Sequence, residues 1–355
     1  MQIEHLIGPS YQDLRPFKQP TAPGFPVYPD LVDRLAGAGA HPDDDIRFVM
    51  AVCASYAYGD AATLAMMMTR LGLEQNRCFM VSVYVDAMFL TSVAYVIQSG
   101  DGRVAIVCFR GTPPTSAITW LTDFQVDPVR IELPVPGAAA AGGQARCEVH
   151  GGFYRNVRST RYQIMGVLER ALAGRSAEPD GAELEHPLQA LYITGHSLGA
   201  ASAQMLAAML HIDDAYAPVR DKLRAVYTYG APMIGNPAFA EACDGFDLLK
   251  RNLIRYVYAS DVVPQVPPTA CGPFKHFGQE YQYTPAGEGG SWRHNETPRR
   301  QMRDAMALLI TPASLLTRQM TLTRRIRFSA SINDHFPQYY IDALTPPGVR
   351  SEFGD

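Results

Sequence analysis

Short apolar runs separated by helical or turn-rich stretches make up most of this chain. Apolar residues at helical spacing predict two packing helices within 43–73, the second over 61–73. Residues 92–98 and 103–109 are predicted strands that the turn Gly100-Asp101-Gly102 joins into a hairpin. Three more short apolar strands are predicted at 191–194, 225–229 and 253–259. Strands that alternate with helices in this way favour an α/β class with a central, mostly parallel sheet flanked by helices.

Several stretches do not fit this alternation. Residues 1–42 are predicted to form an N-terminal arm that lies over the domain, because the six prolines between positions 9 and 29 block both helix and central strand. The small-residue or polar stretches 134–145, 173–187 and 284–297 are predicted loops. None of these stretches changes the composition enough to mark a boundary, so residues 1–355 are expected to form one domain.

Composition excludes several classes of function. Lys and Arg together number 31 and Asp and Glu 35, so the net charge of −4 gives no sign of a nucleic-acid partner, and any lipid binding must be local. The six cysteines include no C-x-x-C pair, which argues against the usual zinc and redox motifs. Buried thiols are favoured over disulfides.

The start of the chain lacks the pattern of a classical secretory signal. No stretch approaches the ~20 apolar residues that a membrane-spanning helix needs. The expected compartment is therefore the cytoplasm by default, with leaderless export left open.

The segment Gly195-His196-Ser197-Leu198-Gly199 is the strongest single indication of function. It lies between the predicted strand 191–194 and a helical stretch that starts at Ala200. A nucleophilic serine sits on a tight turn between strand and helix, and the flanking glycines let these two elements approach closely. The segment therefore predicts that Ser197 is the nucleophile on the elbow of an α/β-hydrolase fold.

A serine hydroxyl needs a histidine to take its proton and a carboxylate to orient that histidine. In α/β-hydrolases the three follow in the order serine, acid, histidine. His335 comes late, in a loop-like opening before the helical stretch 337–344, and is the expected base, with His276 as the alternative. Asp261 directly follows the strand 253–259, where such sheets place functional groups, and is the expected acid. A loop-capping aspartate is the alternative reading of Asp261.

Preorganised N–H groups are needed to stabilise the oxyanion of the tetrahedral intermediate. Leu198, the residue after the nucleophile, is expected to supply the first. Thr112, which follows the strand 103–109, is expected to supply the second and carries a hydroxyl as well. An ordinary turn is the alternative reading of Gly111 and Thr112.

Four segments taken together resemble the class 3 lipase family, the fungal-type triacylglycerol lipases and their plant and bacterial relatives. In the family's order they are Phe109-Arg110-Gly111-Thr112, Val149-His150-Gly151-Gly152-Phe153, Thr194-Gly195-His196-Ser197-Leu198-Gly199-Ala200 and Tyr227-Thr228-Tyr229-Gly230-Ala231-Pro232-Met233-Ile234-Gly235-Asn236. The resemblance implies a triad of Ser197, Asp261 and His335 and an oxyanion hole of Thr112 and Leu198. It also implies that 113–124, with Trp120, belongs to a lid, with a plain buried helix as the alternative.

The stretch before the expected histidine is longer than in the compact fungal enzymes, so 284–330 is an expected insertion beside the site. Thr297 as cap and Pro298 as first residue predict that a helix starts there. Eight arginines and only two acidic residues lie between positions 293 and 327, in a chain of net charge −4. We expect 297–327 and 113–124 to contact a lipid interface, with packing on the core as the alternative.

The expected function is hydrolysis of carboxylic esters through an acyl-enzyme intermediate on Ser197, with a lipid or other acyl ester as substrate. No metal and no other cofactor is expected. Phospholipase A1 and a small-ester or feruloyl-type esterase are the alternatives within this class. A non-catalytic lipid-binding protein that has kept the fold is the alternative outside it.

Overall fold

The computed structural model describes residues 26–38, 43–85, 90–112, 127–133, 145–179, 181–286, 289–296, 298–302 and 331–349. Most of the predicted arm 1–42, the whole candidate lid 113–124 and residues 303–330 of the predicted insertion lie outside these ranges. No helix among the described residues is long and apolar enough to cross a membrane.

The described strands are β1 (Arg77–Val85), β2 (Leu90–Gln98), β3 (Val104–Phe109), β4 (Pro128–Leu133), β5 (Ala145–His150), β6 (Ala190–His196), β7 (Leu223–Tyr229), β8 (Leu253–Tyr258), β9 (Gln279–Ala286) and β10 (Gly289–His294). The described α-helices are α1 (Leu31–Gly37), α2 (Asp44–Tyr56), α3 (Ala61–Leu71), α4 (Gly151–Leu172), α5 (Leu198–Ile212), α6 (Ala217–Arg220), α7 (Pro237–Asp244), α8 (Asp247–Asn252) and α9 (Pro337–Leu344).

One large sheet organises the described part of the chain. Its strand order is β1-β2-β3-β6-β7-β8-β9-β10, and β4 pairs with β5 separately. The four neighbouring pairs from β3 to β9 are parallel, whereas β1–β2, β2–β3 and β9–β10 are antiparallel. The predicted hairpin β2–β3 and the mostly parallel centre are confirmed. Because β6, β7 and β8 run in the same direction, their carboxyl ends meet at one edge.

Helices cover both faces of this sheet. α4 and α5 pack on one face, and α2, α3 and α9 pack on the other. Side chains of β3 alternate between the two layers: Val107 belongs to the first and Ile106 to the second. All residues of β3 and β6 are buried, which explains why these strands read as continuous apolar runs rather than as alternating ones. The six cysteines are free thiols, and four of them are buried.

Two sequence predictions for residues 284–302 were wrong. Residues 284–297 were expected to form a loop, but β9 and β10 form an antiparallel hairpin at the sheet edge. Pro285 and the glycines of this small-residue stretch are tolerated at such an edge. The helix expected from Pro298 is absent over 298–302. There the N–H groups of Arg299 and Met302 donate to the Glu280 carboxylate and the Gln265 carbonyl instead. Strand β1 was not predicted.

A buried ion pair joins β8 to β9. The side chains of Arg255 and Glu280 are 1% and 0% exposed, and Arg255 Nη1 lies 2.9 Å from Glu280 Oε2. Arg255 Nε also donates to the Phe277 carbonyl at 2.9 Å, and Asn295 Nδ2 donates to Glu280 Oε1 at 2.8 Å. Because both charges are removed from water, each depends on the other for its stabilisation.

Replacing Glu280 by Gln is expected to lower the free energy of unfolding by about 3–5 kcal/mol, because Arg255 would then be a buried charge without a counter-ion. Urea denaturation at neutral pH measures this loss. The double variant Arg255→Met/Glu280→Leu removes both charges and should recover part of the stability. A single variant as stable as the wild type would contradict this reading of the pair.

Candidate active site

Ser197 occupies the sharp turn between β6 and α5. Its backbone has φ +60° and ψ −127°, which residues other than glycine rarely adopt. Its N–H donates to the Tyr229 carbonyl at 2.9 Å, which fixes the turn against the end of β7. The predicted order of strand, strained turn and helix is therefore present.

Two glycines make this turn sterically possible. A Cβ atom on Gly195 would lie 2.4 Å from the carbonyl carbon of Gly199, and one on Gly199 would lie 2.2 Å from the Phe109 carbonyl oxygen. Real Cβ contacts are not this short, so a side chain at either position would push strand and helix apart. The elbow is consequently packed against the end of β3.

The Asp261 carboxylate is fully buried just beyond the end of β8. Its Oδ2 accepts hydrogen bonds from His335 Nδ1 at 2.9 Å and from the Tyr340 hydroxyl at 2.5 Å, and Oδ1 accepts one from the Val263 N–H at 2.9 Å. Burial alone would raise the pKa of Asp261, but the charge of His335 and these hydrogen bonds lower it below its ordinary value. Asp261 is therefore ionised at neutral pH.

His335 lies in the 3-10 helix Asn333–His335, just before α9. Because Nδ1 donates to Asp261, Nε2 carries the free lone pair of the neutral ring. This nitrogen is buried and has no hydrogen-bond partner among the described residues. An oriented imidazole with an unoccupied accepting nitrogen can act as a general base.

The ring of His196, the residue before Ser197, lies against the ring of His335 with centroids 4.6 Å apart. His196 Nε2 lies 2.7 Å from the His335 carbonyl oxygen, and Nδ1 lies 2.8 Å from the Tyr58 hydroxyl. Because a carbonyl only accepts, Nε2 carries the proton and Nδ1 accepts from Tyr58. Burial, and then the charge of His335, lower the pKa of His196 to about 3. A neutral His196 thus supports the backbone of His335.

The two predicted oxyanion residues adjoin the elbow. Leu198 is the first residue of α5, where free N–H groups and the helix dipole favour negative charge. Thr112 is buried beyond β3, and its hydroxyl hydrogen-bonds none of the described residues. A buried hydroxyl without a partner is uncommon, and here it leaves a donor available. A Cβ atom on the preceding Gly111 would lie 2.6 Å from the His196 carbonyl oxygen, so this stretch runs close to the elbow.

The alternative histidine has a different environment. His276 Nε2 donates to the Pro264 carbonyl at 2.7 Å, and no described carboxylate contacts the ring. Burial, followed by the charge of Arg255, holds the pKa of His276 well below its ordinary value. Asp334, the neighbour of His335, accepts from the Ser260 N–H at 2.9 Å. Among the described residues no group of three His, Cys, Asp or Glu side chains could hold a metal ion.

Four residues near Asp261 and His335 were given no role from the sequence: Tyr340, His196, Tyr58 and Gly230. The first three act through contacts between distant parts of the chain, which leave no local pattern. Gly230 did carry a signal, because it belongs to one of the four segments that resemble class 3 lipases. A Cβ atom on Gly230 would lie 2.8 Å from both Asp261 Oδ2 and His335 Nδ1.

Residues 106–271 match the family model described as lipase (class 3). A lipase of Rhizopus niveus is 30% identical over 187 residues, which are 52% of this chain and 40% of that protein. A triacylglycerol lipase of Ricinus communis is 27% identical over 227 residues, 55% of this chain and 41% of its own length. Over this part of its length the chain is similar to the class 3 lipase family. It spans about two fifths of the length of these curated relatives.

Solved structures show similarity at the level of the fold. A lipase from Rhizopus microsporus var. chinensis superposes with a TM-score of 0.55 at 19% identity, over 90% of this chain and 98% of that one. The native Rhizomucor miehei lipase propeptide complex gives a TM-score of 0.53 at 17% identity, over 89% and 84% of the two chains. The α/β-hydrolase fold expected from the sequence is confirmed.

Gly230→Ala is expected to slow the reaction of the Ser197 hydroxyl with a fluorophosphonate probe by tenfold or more, since small displacements of reacting groups cost about that much or more. The added methyl group would push Asp261 and His335 apart. Gly181→Ala is the matched control, because Gly181 has the same φ of +59° but no atom of another described residue near it lies within 4 Å of the added Cβ. Equal labelling rates in the two variants would show that the space at Gly230 is not needed.

Proposed function

We propose that this chain hydrolyses carboxylic esters of lipids, with Ser197 as nucleophile, His335 as general base and Asp261 as the acid that orients His335. The observation that carries this proposal is the buried Asp261–His335 hydrogen bond of 2.9 Å beside a strained serine elbow. The unpartnered Nε2 of His335 supports it, since this atom can accept the serine proton.

In the proposed acylation step, Ser197 Oγ attacks the ester carbonyl carbon while its proton moves to His335 Nε2. The Asp261 carboxylate stabilises the resulting imidazolium. The carbonyl oxygen becomes an oxyanion that accepts hydrogen bonds from the Leu198 N–H and from Thr112. When the tetrahedral intermediate collapses, the bond to the alcohol breaks, and the alcohol leaves with the proton from His335.

Deacylation repeats these steps with water as the nucleophile. His335 takes a proton from water, and the oxygen of that water attacks the acyl-Ser197 ester. The new oxyanion accepts hydrogen bonds from the same donors, the Leu198 N–H and Thr112. Collapse of the second intermediate returns the proton to Ser197 Oγ and releases the carboxylic acid. The residues of this chain suffice for every proton transfer in the cycle.

The lipid character of the substrate rests on the relatives, which are described as lipases or triacylglycerol lipases. We further propose that 113–124 and 297–327 contact a lipid surface. Both segments lie mainly outside the described residues. Within 297–327, Arg299 is not assigned to this lipid contact, because its guanidinium donates hydrogen bonds to the Asp261 and Ala259 carbonyls.

Ser197→Ala is expected to lower kcat on a short-chain acyl ester by several orders of magnitude, leaving at most the residual ~10³–10⁴ over water that binding and oxyanion donors provide. Thermal melting should change little. Retention of more than about a tenth of the wild-type rate by the folded variant would contradict the nucleophile assignment.

The choice of base is tested by a matched pair of histidine variants. His335→Ala should lose activity as Ser197→Ala does, whereas the effect of His276→Ala should be on stability, because His276 bonds the Pro264 carbonyl. The opposite result, with turnover kept in His335→Ala and lost in His276→Ala, would transfer the role to His276.

Profiling acyl-chain length tests the lipid part of the proposal. We expect hydrolysis of emulsified long-chain triacylglycerols at rates no lower than those of short soluble esters, because the relatives are lipases. Hydrolysis confined to short esters would indicate a small-ester esterase, and preference for phospholipids would indicate a phospholipase A1. No hydrolysis and no fluorophosphonate labelling would indicate a non-catalytic protein.

A further inference from the structure

The turn that carries Asp261 is strained. The Asp261 N–H donates to the Tyr258 carbonyl at 2.9 Å and closes a tight turn at the end of β8. Within it Ala259 has φ +40°, in the left-handed region that a residue with a Cβ atom rarely occupies. Such a conformation persists only when the surroundings hold it in place.

Arg299 holds this turn from one side. Its Nη1 donates to the Asp261 carbonyl at 2.9 Å, and its Nη2 donates to the Ala259 carbonyl. One planar guanidinium therefore joins the strained residue to the acid itself, which a single-point donor could not do. Gln282 Nε2 adds a second hydrogen bond to the Ala259 carbonyl at 3.0 Å.

Arg299 is itself attached to the rigid sheet. Its N–H donates to the Glu280 carboxylate, with distances of 3.2 and 3.1 Å to the two oxygens. Glu280 is buried and paired with Arg255, so the anchor of Arg299 belongs to the paired strands β8 and β9. The Arg299 guanidinium is consequently attached to a backbone that is itself fixed to the sheet.

The opposite side of the turn is held by the segment that leads to His335. The Ser331 N–H donates to the Ser260 carbonyl at 2.7 Å, and the Ser260 N–H donates to Asp334 Oδ2 at 2.9 Å. The two sides are not equivalent, because Ser331 and Asp334 bond only Ser260, in the middle of the turn. Arg299 alone among the described side chains bonds the Asp261 carbonyl.

We propose that Arg299 is a positioning residue for Asp261: it locks the strained turn so that the carboxylate meets His335 Nδ1. This role rests on the proposed hydrolase function. Without the guanidinium the turn relaxes, the Asp261–His335 hydrogen bond weakens, and the imidazolium formed in the transition state loses stabilisation. The arginine therefore acts on turnover rather than on substrate binding.

Kinetics of Arg299→Ala test this role against Arg158→Ala, a change at an exposed arginine of α4. We expect kcat to fall about ten- to hundredfold in Arg299→Ala with KM nearly unchanged. Small displacements of a catalytic group lower the rate by about this factor. Arg158→Ala should match the wild type in both quantities.

Chemical rescue distinguishes positioning from a general loss of stability. Millimolar guanidinium, well below denaturing concentration, should raise the activity of Arg299→Ala several-fold and leave that of Arg158→Ala unchanged. Arg299→Lys should lie between Arg299→Ala and the wild type, since an ammonium group lacks the planar fork. It also serves as the test variant if Arg299→Ala does not fold. Full kcat in a folded Arg299 variant, or a loss that guanidinium leaves unchanged, would overturn the proposal.

A measurement independent of activity separates this proposal from the hydrolase assignment. The proton between His335 Nδ1 and Asp261 should give a far-downfield NMR signal that His335→Ala abolishes. We expect this signal to weaken or shift in Arg299→Ala and to remain in Arg158→Ala. An unchanged signal would overturn the positioning role. A changed signal in a chain whose wild type hydrolyses no ester would instead overturn the hydrolase function alone.

Discussion

The buried carboxylate of Asp261 sets the condition on which the rest of the site depends, because its oxygens must receive hydrogen bonds that water cannot supply. The donors come from the Val263 N–H, from His335 and from Tyr340. Two of these three belong to the segment 331–349, so this late part of the chain must return to the end of β8. Gly230 leaves the space that this convergence requires.

Two chains of contacts connect this carboxylate to the sheet. In the first, His196 at the end of β6 supports the His335 carbonyl, so a displacement of the serine elbow is transmitted to the imidazole. The second begins with the ion pair of Arg255 and Glu280 and continues through the Arg299 backbone to its guanidinium on the strained turn. Residues 298–302 are not helical, and the N–H groups of Arg299 and Met302 bond Glu280 and Gln265 instead. A helix there would have used the same groups internally.

The sequence by itself determined the local features. Glycine spacing around Ser197 predicted a turn that only such spacing permits, and apolar runs predicted the strands that the sheet contains at β3, β6, β7 and β8. The end of β8 and the order of residues along the chain were enough to select Asp261 and His335, which the structure joins by a hydrogen bond. These features could be predicted because backbone conformation and burial on both faces are encoded by neighbouring residues.

Only the tertiary structure decided which distant side chains meet. The roles of Tyr340, His196 and Arg299 depend on how α9, β6 and the segment after β10 pack around one turn, and no spacing along the chain encodes that packing. For the same reason an arginine that the sequence assigned to a lipid-facing excess of charge is bound to the protein's own carbonyls. The free energy of such contacts arises from desolvated partners that become neighbours only when the whole sheet has formed.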